Sequence, residues 1–172
     1  MKFSLALLSL AFSALFVTGC SKDIDHHSEY NKSFKAFQEF KQSSGNSYQY
    51  MAIQSSWVGS STQTIITVRN GRVTNRAAVV RGFATGNATT VTIVDEWEEN
   101  EATLNSHNAG HPSRTLDEIY QLAKNEWLIK RKEATNFFEA KNDGMISDCG
   151  YYENNCQDDC TIGIHISWIR KL

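Results

Sequence analysis

Between residues 28 and 41 the side chains Tyr30, Phe34, Phe37 and Phe40 recur at intervals of three and four, while Lys32, Lys35, Glu39 and Lys41 lie mostly elsewhere on the wheel. That period predicts one amphipathic helix with an aromatic stripe. Ser28 is the expected cap, and Ser43-Ser44-Gly45-Asn46 the expected stop. From residue 47 the period falls to two. Residues 47–57, 62–68, 73–81 and 89–94 alternate or are rich in β-branched side chains, which predicts strands. Asn70-Gly71 accepts the positive φ angles of a two-residue type I′ turn, so 62–68 and 73–81 form a hairpin. In its simplest register Val68 faces Val73 and Ile66 faces Asn75. Residues 82–86, with two glycines, break the pattern.

The acidic run Asp95-Glu96-Trp97-Glu98-Glu99-Asn100-Glu101 and the Gly- and Asn-bearing stretch 105–113 read as a long polar connection. Thr115 and Glu118 have capping-box spacing, and Leu116, Ile119, Tyr120, Ala123 and Trp127 keep helical period behind them. A second helix therefore starts at 115 and ends between 127 and 132. Strands follow at 133–140, 145–152 and 161–169, with a tight turn at 142–144 and a loop at 153–160. In the last strand Ile162, Ile164, Ile166 and Trp168 share one face, and Thr161, Gly163, His165 and Ser167 the other. The sum is an α+β fold: an antiparallel β-sheet of about six strands packed by two α-helices, forming a single domain over 30–172.

The amino terminus has a different pattern. Lys2 precedes an uncharged, mostly apolar run over 3–17. A spanning helix needs roughly 20 apolar residues, so this run is short for a span and has the length of a signal-peptide core. It ends in Val17-Thr18-Gly19-Cys20, where small residues precede a cysteine. This tetrapeptide resembles the lipobox of bacterial lipoproteins, with Val17 where Leu is usual. The resemblance implies a signal peptide at 1–19, a diacylglycerol on the sulfur of Cys20, cleavage before Cys20 and acylation of the new amino group. Two or more acyl chains make a lasting membrane anchor, whereas one gives only marginal binding. Residues 20–29 are then a lipidated tether. Ser21 rather than Asp follows the cysteine, which in enteric lipoproteins implies the outer membrane and a periplasm-facing domain. The other reading of the same residues is an ordinary secretory peptide with a chance cysteine.

Composition narrows the classes. The 172 residues carry 17 Lys+Arg and 19 Asp+Glu, with 41% hydrophobic and 11% aromatic side chains. Such a chain folds, and its near-neutral balance argues against a nucleic-acid partner, which demands a basic excess. Cleavage at Cys20 removes only Lys2 among the charged side chains, so the mature 153 residues carry a net charge of −3.

The order of Tyr48-Gln49-Tyr50, Val68-Arg69-Asn70-Gly71-Arg72-Val73, Thr115-Leu116-Asp117-Glu118-Ile119-Tyr120 and Asp158-Asp159 behind a lipobox resembles a family of small bacterial lipoproteins of unknown function. The likeness covers most of 30–170. It implies a lipid-anchored α+β domain and supplies no catalytic residues.

Candidate chemistry is sparse. Cys149, Cys156 and Cys160 lie within twelve residues, and in an oxidising compartment two of them should pair. Three pairings are open. Cys149–Cys160, which closes the loop between the last two strands, is the favoured one, with Cys156–Cys160 as alternative. No motif calls for a metal or cofactor. The weak metal candidates are His107, His111, Glu98 and Glu101, because imidazole and carboxylate groups cluster there in sequence. Neither a nucleophile elbow nor a phosphate loop occurs. The expected function is therefore a lipid-anchored envelope module that is not an enzyme and binds an envelope protein or ligand. The alternative is a small periplasmic metal-binding protein or hydrolase using residues 95–111.

Overall fold

A computed structural model describes residues 23–84, 87–158 and 160–172, and the side chains of 87 and 88 are not described. Cys20, the lipobox and Asp159 lie outside the described residues.

The Asn70-Gly71 turn forms as its chemistry requires, with φ of 49° and 78°. It joins β2 (Ser61–Arg69) to β3 (Arg72–Ala84). The register changes one residue into the hairpin. Val68 faces Val73, but a bulge between Thr67 and Val68 then sets Ile66 opposite Arg76 instead of Asn75. Opposed residues share a face, so the bulge sends Arg76 to the core side.

β1 (Tyr48–Ser55) pairs with β2, and β4 (Asn87–Asn100) pairs with β3. The acidic run is thus strand through Asn100, and only Glu101 lies in the turn that follows. Trp97 and Glu99 are buried while Glu96, Glu98 and Asn100 are exposed, which is the alternation of a sheet covered on one side. β5 (Ala134–Glu139), β6 (Asp148–Glu153) and β7 (Ile162–Lys171) complete a seven-stranded antiparallel sheet of order β4-β3-β2-β1-β7-β6-β5. A second bulge separates Met51↔Trp168 from Ala52↔Ile166. The period of two in β7 therefore slips at Ser167. Ile164 and Ile166 stay in the core, Trp168 moves to the other face and Ile169 takes its place.

Both helices pack on one face. α1 (His27–Ser43) lays Tyr30 and Phe37 into the core, while Phe34 remains partly exposed. His26, not Ser28, stands at its cap in a left-handed conformation, and no side chain caps it. α2 (Leu116–Leu122) has the expected capping box of Thr115 and Glu118, then widens into a π-helical turn over Ala123–Trp127. Tyr48 and Tyr50 reach from β1 to its start: Leu116 N–H donates to Tyr48 Oη at 2.8 Å, and Tyr50 Oη donates to the Arg114 carbonyl at 2.6 Å.

Residues 23–29, expected to belong to a tether, are part of the domain. Ile24 is buried and bridges Ile129, and Asp25 N–H donates to the Leu128 carbonyl at 2.8 Å. An apolar side chain at position 24 has a pocket to fill, so the domain holds its chain from Asp23. No helix among the described residues is long and apolar enough to cross a membrane.

Candidate functional site

The sheet has two unlike faces, and the candidate residues divide between them. On the core side of β3 and β4, Arg76 and Glu99 form a bidentate pair. Arg76 Nε donates to Glu99 Oε2 and Nη2 to Oε1, each at 2.8 Å. The connection after β4 folds over this pair. Backbone N–H groups of Asn105 and His107 reach Glu99 at 2.7 Å each, and the Ser106 hydroxyl at 3.1 Å. Arg76 in turn donates to the carbonyls of His107 and His111. The His107 ring lies flat on Trp97, centroids 4.5 Å apart, with the Arg76 guanidinium also against Trp97. Gly110, at φ 85°, passes so close to the sheet that a Cβ would stand 2.8 Å from Thr64 Oγ1.

The electrostatics follow from this packing. The Arg76 guanidinium holds the Glu99 carboxyl well below the usual carboxylate range, with the donors from His107 and Asn105 adding to it and desolvation opposing it. Burial lowers the pKa of His111 to about 4; the Pro112 carbonyl partly offsets this, and the charges of Arg114 and Arg76 reinforce it. Every oxygen of Glu99 is occupied by protein donors, so this cluster fastens the connection to the sheet.

The four metal candidates do not meet. Glu98 lies on the opposite face, where it accepts from Asn75 Nδ2 at 2.7 Å. Glu101 is exposed, His107 is stacked on Trp97 with Nδ1 2.9 Å from Glu99, and His111 is buried with Nδ1 3.0 Å from the Pro112 carbonyl. Among the described residues no group of three or more His, Cys, Asp or Glu side chains converges as a metal site. Strand alternation explains the dispersal: neighbours in sequence along β4 point to opposite faces.

Of the cysteines, Cys156 and Cys160 stand at disulfide distance in the β6–β7 connection, with Cα atoms 6.2 Å apart. This corrects the favoured pairing of Cys149 with Cys160. Cys149 faces the core from β6, opposite Ile164, and is fully buried away from that connection.

The second face carries no helix among the described residues. Its middle is an apolar band: Met51 and Ile53 on β1, Ile65 on β2, Ala77 and Val79 on β3, and Trp168 on β7, all half-buried. A cleft of about 400 Å³ lies over Met51, Ile65, Ala77 and Val79, with Glu96 and Glu98 along one side. A second cleft of about 600 Å³ is lined by Ile53, Phe137, Tyr152 and His165 among others. There His165 Nδ1 is 2.6 Å from Asp148 Oδ1 across β6 and β7. Sequence reading set His165 on the face away from the core but did not find Asp148, because cross-strand neighbours depend on register. It missed Arg76 as well, since the bulge that turns this side chain inward has no sequence signature.

No protein-family model, curated protein or solved structure matches the chain.

Proposed function

We propose that the chain is a lipid-anchored protein of the bacterial envelope, attached through Cys20 at the periplasmic face of the outer membrane, and that it binds a partner on the helix-free face of its sheet without catalysing a reaction. One observation carries the binding part of this reading. Six apolar side chains, Met51, Ile53, Ile65, Ala77, Val79 and Trp168, form a band on a sheet face that neither helix covers. An antiparallel sheet can leave one face to water, but that face is then normally polar. An apolar band with a polar rim is the composition of an interaction surface. Glu96 and Glu98 supply part of the rim here, and Gln63 sits within the band between Ile53 and Val79. The anchor part rests on the resemblance of Val17-Thr18-Gly19-Cys20 to a lipobox, and the likeness to small lipoproteins on the order of Tyr48-Gln49-Tyr50, Val68–Val73, Thr115–Tyr120 and Asp158-Asp159 behind it.

The rival reading, a metal site or hydrolase on residues 95–111, receives less support. Glu99 is saturated by protein donors and Glu98 points the other way.

A photo-crosslinking amino acid at position 65, in cells, tests the binding surface. The expected result is a discrete crosslinked species that is absent when the probe replaces Lys35 on the solvent side of α1. Equal crosslinking from both positions, or none from 65, overturns the reading. Intact mass of the membrane-extracted protein tests the anchor: an acylated chain beginning at Cys20 is expected.

A further inference from the structure

The helix-free face is not the only apolar surface. At one end of the sheet, Trp57 is 74% exposed and Val58 45% exposed in the β1–β2 connection. Tyr152 on β6 and Ile162 on β7 are exposed at the same end. Trp57 and Tyr152 line one shallow cleft with Cys156, Cys160 and Thr161. On the other side of the β1–β2 connection, Gly59 packs against Phe83 and Val91, which are also exposed. Exposed apolar side chains thus stand on both sides of the β1–β2 connection at this end.

The chain enters the domain at this end as well. Asp25 accepts from Asn136 Nδ2 at 2.9 Å, and Asn136 pairs with Tyr151, the neighbour of Tyr152. Asp23 is held by Lys130, with Nζ 2.6 Å from its carboxylate. Only Ser21 and Lys22 separate Asp23 from Cys20. Three peptide units span roughly 10 Å at full extension. A lipid on Cys20 therefore holds Asp23, at this end of the sheet, within roughly that distance of the headgroups.

We propose that the end of the domain bearing Trp57, Val58, Tyr152 and Ile162 rests in the interfacial layer of the phospholipid bilayer to which the chain is anchored. This rests on the reading of Cys20 as the lipidation site. Tryptophan and tyrosine suit that layer, since each has an apolar body and a polar tip. Electrostatics contribute little. Lys130, Arg131 and Lys132 lie at this end, but Asp23, Asp25, Glu133, Glu153 and Asp158 lie there too, so the attachment is apolar and insensitive to salt. With this end on the membrane, the helix-free face stands clear for a partner.

The test uses the lipidated protein in vesicles of phosphatidylethanolamine and phosphatidylglycerol with brominated acyl chains, which quench nearby indoles. Most of the Trp57 emission is expected to be lost, at low and high salt alike. Trp57→Phe should abolish the quenching and Trp168→Phe should preserve it. Emission from Trp57 that bromine leaves unchanged, in protein shown by mass to be acylated at Cys20, overturns the inference and leaves the anchor standing. Protein without acyl chains overturns the anchor reading and this inference with it.

Discussion

Arg76 and Glu99 face one another across β3 and β4 with both N···O distances at 2.8 Å, and their side chains are 2% and 0% exposed. A buried pair is weak evidence for net stability, but breaking one partner leaves a charge that the interior cannot solvate. Glu99→Gln is therefore expected to cost about 3–5 kcal/mol in urea unfolding, while Arg76→Met with Glu99→Leu recovers only part of it, because the Asn105 and His107 N–H groups lose their acceptor. A loss below about 1 kcal/mol for the single variant contradicts the role given to this pair. Amide exchange over 101–113 should rise first, because Glu99 holds the N–H groups of Asn105 and His107.

His111 makes stability fall with acid. Its folded pKa, about 4, lies below its ordinary 6.5, so the fold prefers the neutral ring. Above pH 6.5 the group contributes nothing to pH dependence. As pH drops from 6.5 toward 4 the unfolded chain binds the extra proton, and about 3 kcal/mol is lost by pH 4. Glu99 adds its own loss only as pH falls below its ordinary 4.5, because its folded value is depressed. The window from 6.5 to 4.5 thus belongs mainly to His111, and His111→Asn should flatten urea midpoints there. An unchanged slope in that variant would count against the buried neutral ring.

Cys149 should resist alkylation in the native protein. Its thiol is buried, and that burial pushes its pKa well above the ordinary value, so almost no thiolate exists near neutral pH. Iodoacetamide is expected to modify Cys149 only after unfolding. Peptide mapping without reductant should recover Cys156 joined to Cys160. A Cys149–Cys160 peptide would reject the geometry of the β6–β7 connection.

Tyr48→Phe removes the acceptor for the buried Leu116 N–H at the start of α2 and should cost about 1–3 kcal/mol. Thr115→Ala, which removes the cap itself, should cost about 1 kcal/mol. Thermal melts of both single variants and the double variant measure the two terms. A neutral Tyr48→Phe would mean that the helix start finds another partner.

Gly110→Ala combines an unfavourable positive φ with a Cβ against Thr64 and Trp97. A cost of about 1–3 kcal/mol is expected from overpacking and backbone strain. Calorimetry that finds the variant as stable as the parent would show the 105–113 connection to sit loosely over Thr64 and Trp97.

Local chemistry made much of this fold legible in the sequence. Asn70-Gly71 fixed its hairpin because few residues accept its two positive φ angles. The Thr115–Glu118 pair marked a helix start because the cap is a bond between residues three apart. The aromatic spacing of α1 and the β-branched runs of β2 and β7 gave element type for the same reason: period is a local property. The signal-like run and Cys20 can be read only from sequence, as they lie outside the described residues.

Tertiary structure decided the rest. Two bulges, at Thr67/Val68 and Met51/Ala52, chose which face Arg76 and Trp168 occupy. A one-residue slip reverses every side chain beyond it, and no local signal foretells it. The acidic run 95–101 looked like loop by composition, yet an arginine waiting in β3 makes it worthwhile to bury Glu99 and so to extend β4. Cys156 rather than Cys149 reaches Cys160 because Cys149 is turned into the core by its place in β6. Sequence thus determined most of the elements, though not the reach of β4; the packing of distant strands determined that and which side chains meet, because contacts across a sheet depend on register and not on order along the chain.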